Sequence, residues 1–139
     1  MKSVVKRSLR RGFTLVELTV VILIIGIVAT IAAPKFFQSV NTARDKSANQ
    51  SLEVVRNAID LYQANNRVFP GLDDNQVTLK ADLSTFLRKE FPTCQAGKNN
   101  ANVKFSGASP LVATTDPEAW IYNKTTGEVR INDPAYITY

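Results

Sequence analysis

The chain has 139 residues, 45% of them hydrophobic, with 17 basic and 12 acidic residues, a formal net charge of +5 and no histidine. Length and composition fit one small domain plus an extension; the lack of histidine removes a His base for any nucleophile, and a single cysteine, Cys94, removes an intramolecular disulfide. Five basic residues, Lys2, Lys6, Arg7, Arg10 and Arg11, crowd into the acid-free stretch Met1–Gly12, leaving 12 charges of each sign in the rest of the chain. The high pI belongs to one short segment and is no footprint of nucleic-acid binding.

The next stretch, Phe13 through Pro34, spans 22 residues with one charge, Glu17. As a helix rising ~1.5 Å per residue it reaches ~33 Å, close to the ~30 Å hydrocarbon core of a bilayer. Basic residues before an apolar helix hold the N-terminus on the cytoplasmic side and send the remainder outward. An ordinary secretory signal peptide also reads basic-then-apolar, but its apolar core runs only ~7–15 residues to a small-residue cleavage site. Here Ala32-Ala33 leads into Pro34 and a continuing helical pattern. Neither Gly12 nor Glu17 is explained by that alternative. A carboxylate inside a membrane segment is costly without a partner, so Glu17 is either functional or placed in the headgroup region.

Gly12-Phe13-Thr14-Leu15-Val16-Glu17 resembles the prepilin signal of type IV pilins and type II secretion pseudopilins. The resemblance implies cleavage between Gly12 and Phe13 by a membrane aspartic peptidase, N-methylation of Phe13, and retention of the apolar helix in the mature subunit. The new α-ammonium of Phe13 would lie one helical turn from Glu17. The family implies that this acid instead pairs with the amino terminus of a neighbouring subunit, which would favour one axial register. Gly26 and Pro34 bracket a stretch of weaker helix, and the resemblance implies that it loses helical order when subunits pack in a filament. Many pilins close a C-terminal loop with a Cys pair; the lone Cys94 departs from that pattern and shifts weight toward a pseudopilin. Cys94 itself reads as a small buried apolar residue.

Beyond Pro34 the pattern stays helical and becomes amphipathic through residue 66. Leu52, Val55, Ile59 and Tyr62 recur at helical spacing, with Val54, Ala58 and Leu61 expected to broaden the stripe. Asn65-Asn66 are expected to end the helix, since Asn tolerates the left-handed conformation, and Phe69-Pro70-Gly71 confirms the break. Tyr62 to Pro70 resembles the Tyr-x-x-x-Asn-x-x-Tyr-Pro element of major pseudopilins, with Phe69 in the second aromatic place.

Residues 67–139 read as a small globular domain. Gly71-Leu72-Asp73-Asp74-Asn75 is turn-rich, and its side-chain oxygens lack the spacing of a dedicated calcium loop. A short helix is expected over Asp82–Phe91, with Leu83, Phe86 and Leu87 on one face and Pro92 ending it. The alternating pairs Val103/Phe105, Trp120/Tyr122 and Val129/Ile131 predict three antiparallel strands, the last two joined by a hairpin over Asn123–Gly127. Trp120 reads as a core anchor. Major pseudopilins resemble one another in binding calcium through a C-terminal loop, which would make Asp116, Glu118 and Asp133 candidate ligands. The alternative is solvated turn acids, and no other cofactor is expected.

The expected fold class is α+β and type IV pilin-like: a long N-terminal helix, half transmembrane and half amphipathic, packed on a small antiparallel sheet. The expected organisation is a cleaved leader over 1–12, an assembly helix over 13–34, its continuation over 35–66 and the domain over 67–139. No nucleophile arrangement or Walker-type loop is present, so the chain reads as a non-enzyme whose assembly energy comes from another protein. The resemblance implies a single-pass inner-membrane subunit with a periplasmic domain. Its implied partners are identical subunits, the prepilin peptidase and methyltransferase, an assembly platform with its ATPase, and minor pseudopilins. A secretion pseudopilin is the first reading; a pilus pilin and a non-polymerising membrane-anchored binding module remain alternatives.

Overall fold

The computed structural model describes residues 12–137. Two helices, α1 (Leu15–Asn66) and α2 (Gln76–Leu83), precede three strands, β1 (Val103–Phe105), β2 (Trp120–Tyr122) and β3 (Val129–Ile131). The chain divides into two compact units between Ser39 and Val40, and α1 contributes to both.

In the first unit every described residue is exposed, although most are apolar. The helix is long and apolar enough to cross a membrane. It is also helical through Pro34, so the proline is accommodated inside α1.

In the second unit α1 buries Ala48, Leu52, Val55, Ala58 and Ile59. These positions recur at three- and four-residue steps and form one stripe against the sheet. Val54 and Leu61 do not join it, being 44% and 54% exposed. At ~100° per residue they lie more than ~100° round the helix from the stripe's centre, so composition alone overstated the buried face.

The helix ends by a different residue from the one expected. Asn66 remains helical, and Arg67 takes the left-handed conformation at φ 60, donating its backbone N–H to the Gln63 carbonyl at 2.8 Å. That bond closes an αL cap, a position glycine occupies without strain. Replacing Arg67 with glycine is expected to stabilise the domain by about 1 kcal/mol, read as a higher thermal midpoint of the full chain in detergent.

The short helix is also displaced from Asp82–Phe91. Asn75 caps α2 by accepting the Val77 N–H at 2.8 Å, and Leu79 and Leu83 form its buried edge. Asp82, expected to open a helix, lies in its last turn and accepts the Gly71 N–H at 2.9 Å. Phe86 and Leu87 then fold back through their N–H groups onto the Leu83 carbonyl, and both pack against the core.

All three strands fall where the alternating pairs place them. β2 and β3 are antiparallel, with Trp120 opposite Ile131 and Tyr122 opposite Val129. β1 is parallel to β2, which corrects the all-antiparallel expectation and makes the sheet mixed, in the order β1-β2-β3. The reason is connection length: parallel neighbours need a crossover of roughly a dozen residues or more, and Ser106–Ala119 supplies it without a helix. Trp120 and Tyr122 face α1 within the core, and Ile121, on the opposite face of this central strand, is buried as well.

Candidate functional site

Gly12, Phe13 and Thr14 precede the first helical residue and are exposed, Phe13 at 87%. The Gly12–Phe13 bond is therefore open to another protein. A Cβ added at Gly12 would meet nothing within 4 Å. Among the described residues no packing contact requires glycine there.

Glu17 lies in the first turn of α1. Its Oε2 accepts the Thr14 backbone N–H at 2.8 Å and the Thr14 hydroxyl at 2.9 Å, while the Glu17 N–H donates to Thr14 Oγ1 at 3.2 Å. This reciprocal arrangement is a capping box, satisfying backbone donors that the first helical turn leaves without partners. Sequence reasoning assigned Glu17 a charge role and missed this second one, although Thr-x-x-Glu at the start of an apolar run carries its signature. The carboxylate is thus held by Thr14.

Gly26, Thr30 and Pro34 follow one another at four-residue steps along the same helical strip. The Thr30 hydroxyl donates to the Gly26 carbonyl at 2.8 Å, a back-bond that mildly weakens and bends helices. Pro34 lacks the N–H that would reach the Thr30 carbonyl. The stretch is helical in the single chain, and all its weakening features are on one strip.

Asp116 forms an ion pair with Lys104; hydrogen bonds from Lys104 and Thr114 hold its carboxyl below the usual range. Asp133 accepts the Ala135 N–H at 2.9 Å, and Glu118 offers its backbone carbonyl to Asn132 at 2.9 Å. Asp73 accepts the Thr78 hydroxyl at 2.7 Å, and Asp74 pairs with Lys124 at 2.6 Å. Among the described residues no cluster of three or more His, Cys, Asp or Glu suits a metal ion.

Asparagines and lysines hold the crossover loop, and the sequence reading passed over them as loop polarity. Asn132, fully buried, accepts the Thr114 N–H at 2.7 Å. Asn100 accepts the Ala119 N–H at 3.0 Å and donates to the Pro117 carbonyl at 2.7 Å. Asn123, also buried, donates to the Ala108 carbonyl at 2.9 Å, and Lys98 donates to the Thr114 carbonyl at 2.8 Å. These side-chain bonds give the irregular loop backbone partners that a regular element would otherwise supply.

The Tyr62–Pro70 element ties α1 to the sheet. Tyr62 meets Phe86 edge to face at 6.0 Å, the Tyr122 hydroxyl donates to the Pro70 carbonyl at 3.1 Å, and the Phe69 ring lies over Gly127. Trp120 donates to the Pro92 carbonyl at 3.2 Å and packs on Phe91, a core anchor as expected. Cys94 is buried, its thiol donating to the Ala96 carbonyl at 3.3 Å, and burial pushes the thiol pKa up.

An exposed Gly12–Phe13 bond, an exposed apolar helical segment with one carboxylate in its first turn, and a helix-on-sheet domain together give the chain an α+β, type IV pilin-like architecture. Residues 7–33 match the family described as the prokaryotic N-terminal methylation motif. The chain is 36% identical over 61 residues to the type II secretion system core protein G of Escherichia coli, covering 44% of this chain and 42% of that protein. It is 34% identical over 68 residues to the protein of the same name from Vibrio cholerae, covering 49% and 47%. A broader likeness, 28% over 107 residues, covers 72% of this chain and 63% of a fimbrial protein of Neisseria meningitidis. The matches to the two core proteins G thus span less than half of their lengths. No solved structure matches significantly.

Proposed function

We propose that the chain is a pseudopilin: a subunit matured at Gly12–Phe13, N-methylated on Phe13, and polymerised through its apolar helix into a periplasmic filament of a type II secretion system. The observation that carries this reading is the fully exposed apolar helix with its single carboxylate, which gains protein partners only by assembly. Before assembly the same helix spans the inner membrane with the domain outside. Identical subunits, the peptidase and methyltransferase, the ATPase-driven platform and minor pseudopilins are the partners this role requires. Likeness to two core proteins G supports secretion over a pilus, while the longer likeness to a fimbrial protein favours the pilin alternative.

Deleting the gene separates them. Exported enzymes are expected to accumulate in the periplasm of the deletion strain and to disappear from the medium. Unchanged extracellular enzyme with loss of surface fibres would establish the pilin reading instead.

The domain on this reading needs no calcium, because the Lys104 ammonium already neutralises Asp116 and Lys98 already serves the Thr114 carbonyl. Chelator in excess is expected to leave the thermal midpoint of the full chain unchanged, and added calcium to raise it by nothing measurable. A midpoint that rises with calcium concentration, as mass action demands of a bound ion, would sink this.

A further inference from the structure

We propose that Lys35, Phe36 and Phe37 form a collar that seats the outer end of the unassembled subunit's helix in the lipid headgroup boundary; the inference rests on the membrane-spanning reading above. Phe36 and Phe37 are each 66% exposed, and their rings meet edge to face at 6.1 Å. Successive helical residues are ~100° apart, so the three side chains sweep ~200° of the helix circumference. One flat protein face covers no such arc, whereas a surrounding medium does.

The medium follows from length and charge. From Leu15 to Lys35 the helix rises ~30 Å, one hydrocarbon thickness, so with the Glu17 end at the inner surface the collar sits at the outer one. Lys35 is the first charge after Glu17, and among the described residues it makes no ion pair. A lysine there buries its stem among acyl chains and presents its ammonium to lipid phosphate, while two phenyl rings occupy the apolar side of the same boundary. Pure water around the rings would leave both apolar surfaces hydrated.

The test places an indole by conservative exchange in the full chain, reconstituted in phosphatidylethanolamine–phosphatidylglycerol vesicles carrying lipids brominated at defined depths. The unsubstituted chain, with Trp120 buried in its domain, supplies the background to subtract. Phe36→Trp and Phe37→Trp are expected to be quenched most by bromines nearest the headgroup, and Ile25→Trp by bromines at the chain ends. Adding Lys35→Glu to Phe37→Trp is expected to lose that shallow quenching. Deep quenching at 36 and 37, or red-shifted emission without quenching, overturns the collar while Ile25→Trp still reports a span. Blue-shifted emission without quenching places a second copy of the chain on these rings and overturns it too. An unquenched Ile25→Trp removes the span itself, and the collar with it.

Discussion

Replacing Glu17 with alanine is expected to leave the subunit in the membrane and to cut filament yield and enzyme secretion by about 100-fold or more. Two opposite charges ~4 Å apart at an effective dielectric constant of ~20 attract by ~4 kcal/mol, and each ~1.4 kcal/mol is tenfold in an equilibrium constant. Alanine also deletes the capping box with Thr14, but a lost cap costs a helix only about 0.5–2 kcal/mol. Glutamine separates the two roles, since its amide oxygen still accepts from Thr14 while the charge is gone. On the charge-pair reading Glu17→Gln assembles as poorly as Glu17→Ala. If the glutamine variant assembles normally and the alanine variant does not, Glu17 serves as a cap. Normal filaments from Glu17→Ala would refute the charge pair.

The largest effect on stability is expected from Gly127→Ala. Gly127 has φ 73 in the loop between β2 and β3, and a Cβ built on it would lie 2.2 Å from Phe69 Cε1 and 2.7 Å from Cδ1. The left-handed conformation costs an L-residue ~1–2 kcal/mol, and forcing the half-buried ring aside adds ~1–3 kcal/mol. Against a domain stability of ~5–15 kcal/mol, that total of ~2–5 kcal/mol lowers the thermal midpoint by roughly 10 °C or more. The double variant Gly127→Ala/Phe69→Ala is expected to be less destabilised than the sum of the single changes, because removing the ring removes the collision. A midpoint within a couple of degrees of the parent, or additive single effects, would show that Phe69 yields freely.

How much of this was legible in advance depended on the range of the interaction. The capping signature, the apolar run and the Leu52–Val55–Ile59 spacing are local patterns, and the helix they specify runs from Leu15 to Asn66. The strands were legible for the same reason, since period-two alternation is written in three consecutive residues. Their directions were not, because a parallel pairing of β1 with β2 is a fact about a crossover route. α2 was misplaced because Leu79 and Leu83 fit a helix as well as Leu83, Phe86 and Leu87 do, and the Asn75 cap decided between them.

Local chemistry therefore determined by itself the exposed Gly12–Phe13 bond, the apolar helix and its lone carboxylate, because each is a matter of residue type and short spacing. Tertiary structure decided which acids are already satisfied. Asp116 meets Lys104 and Asp82 meets Gly71 only once distant segments are side by side. It also decided that Gly127 must remain glycine, since Phe69 comes to rest on it from 58 residues away in the chain. Composition records which groups are present; the partner each finds across long loops follows from the path of the backbone.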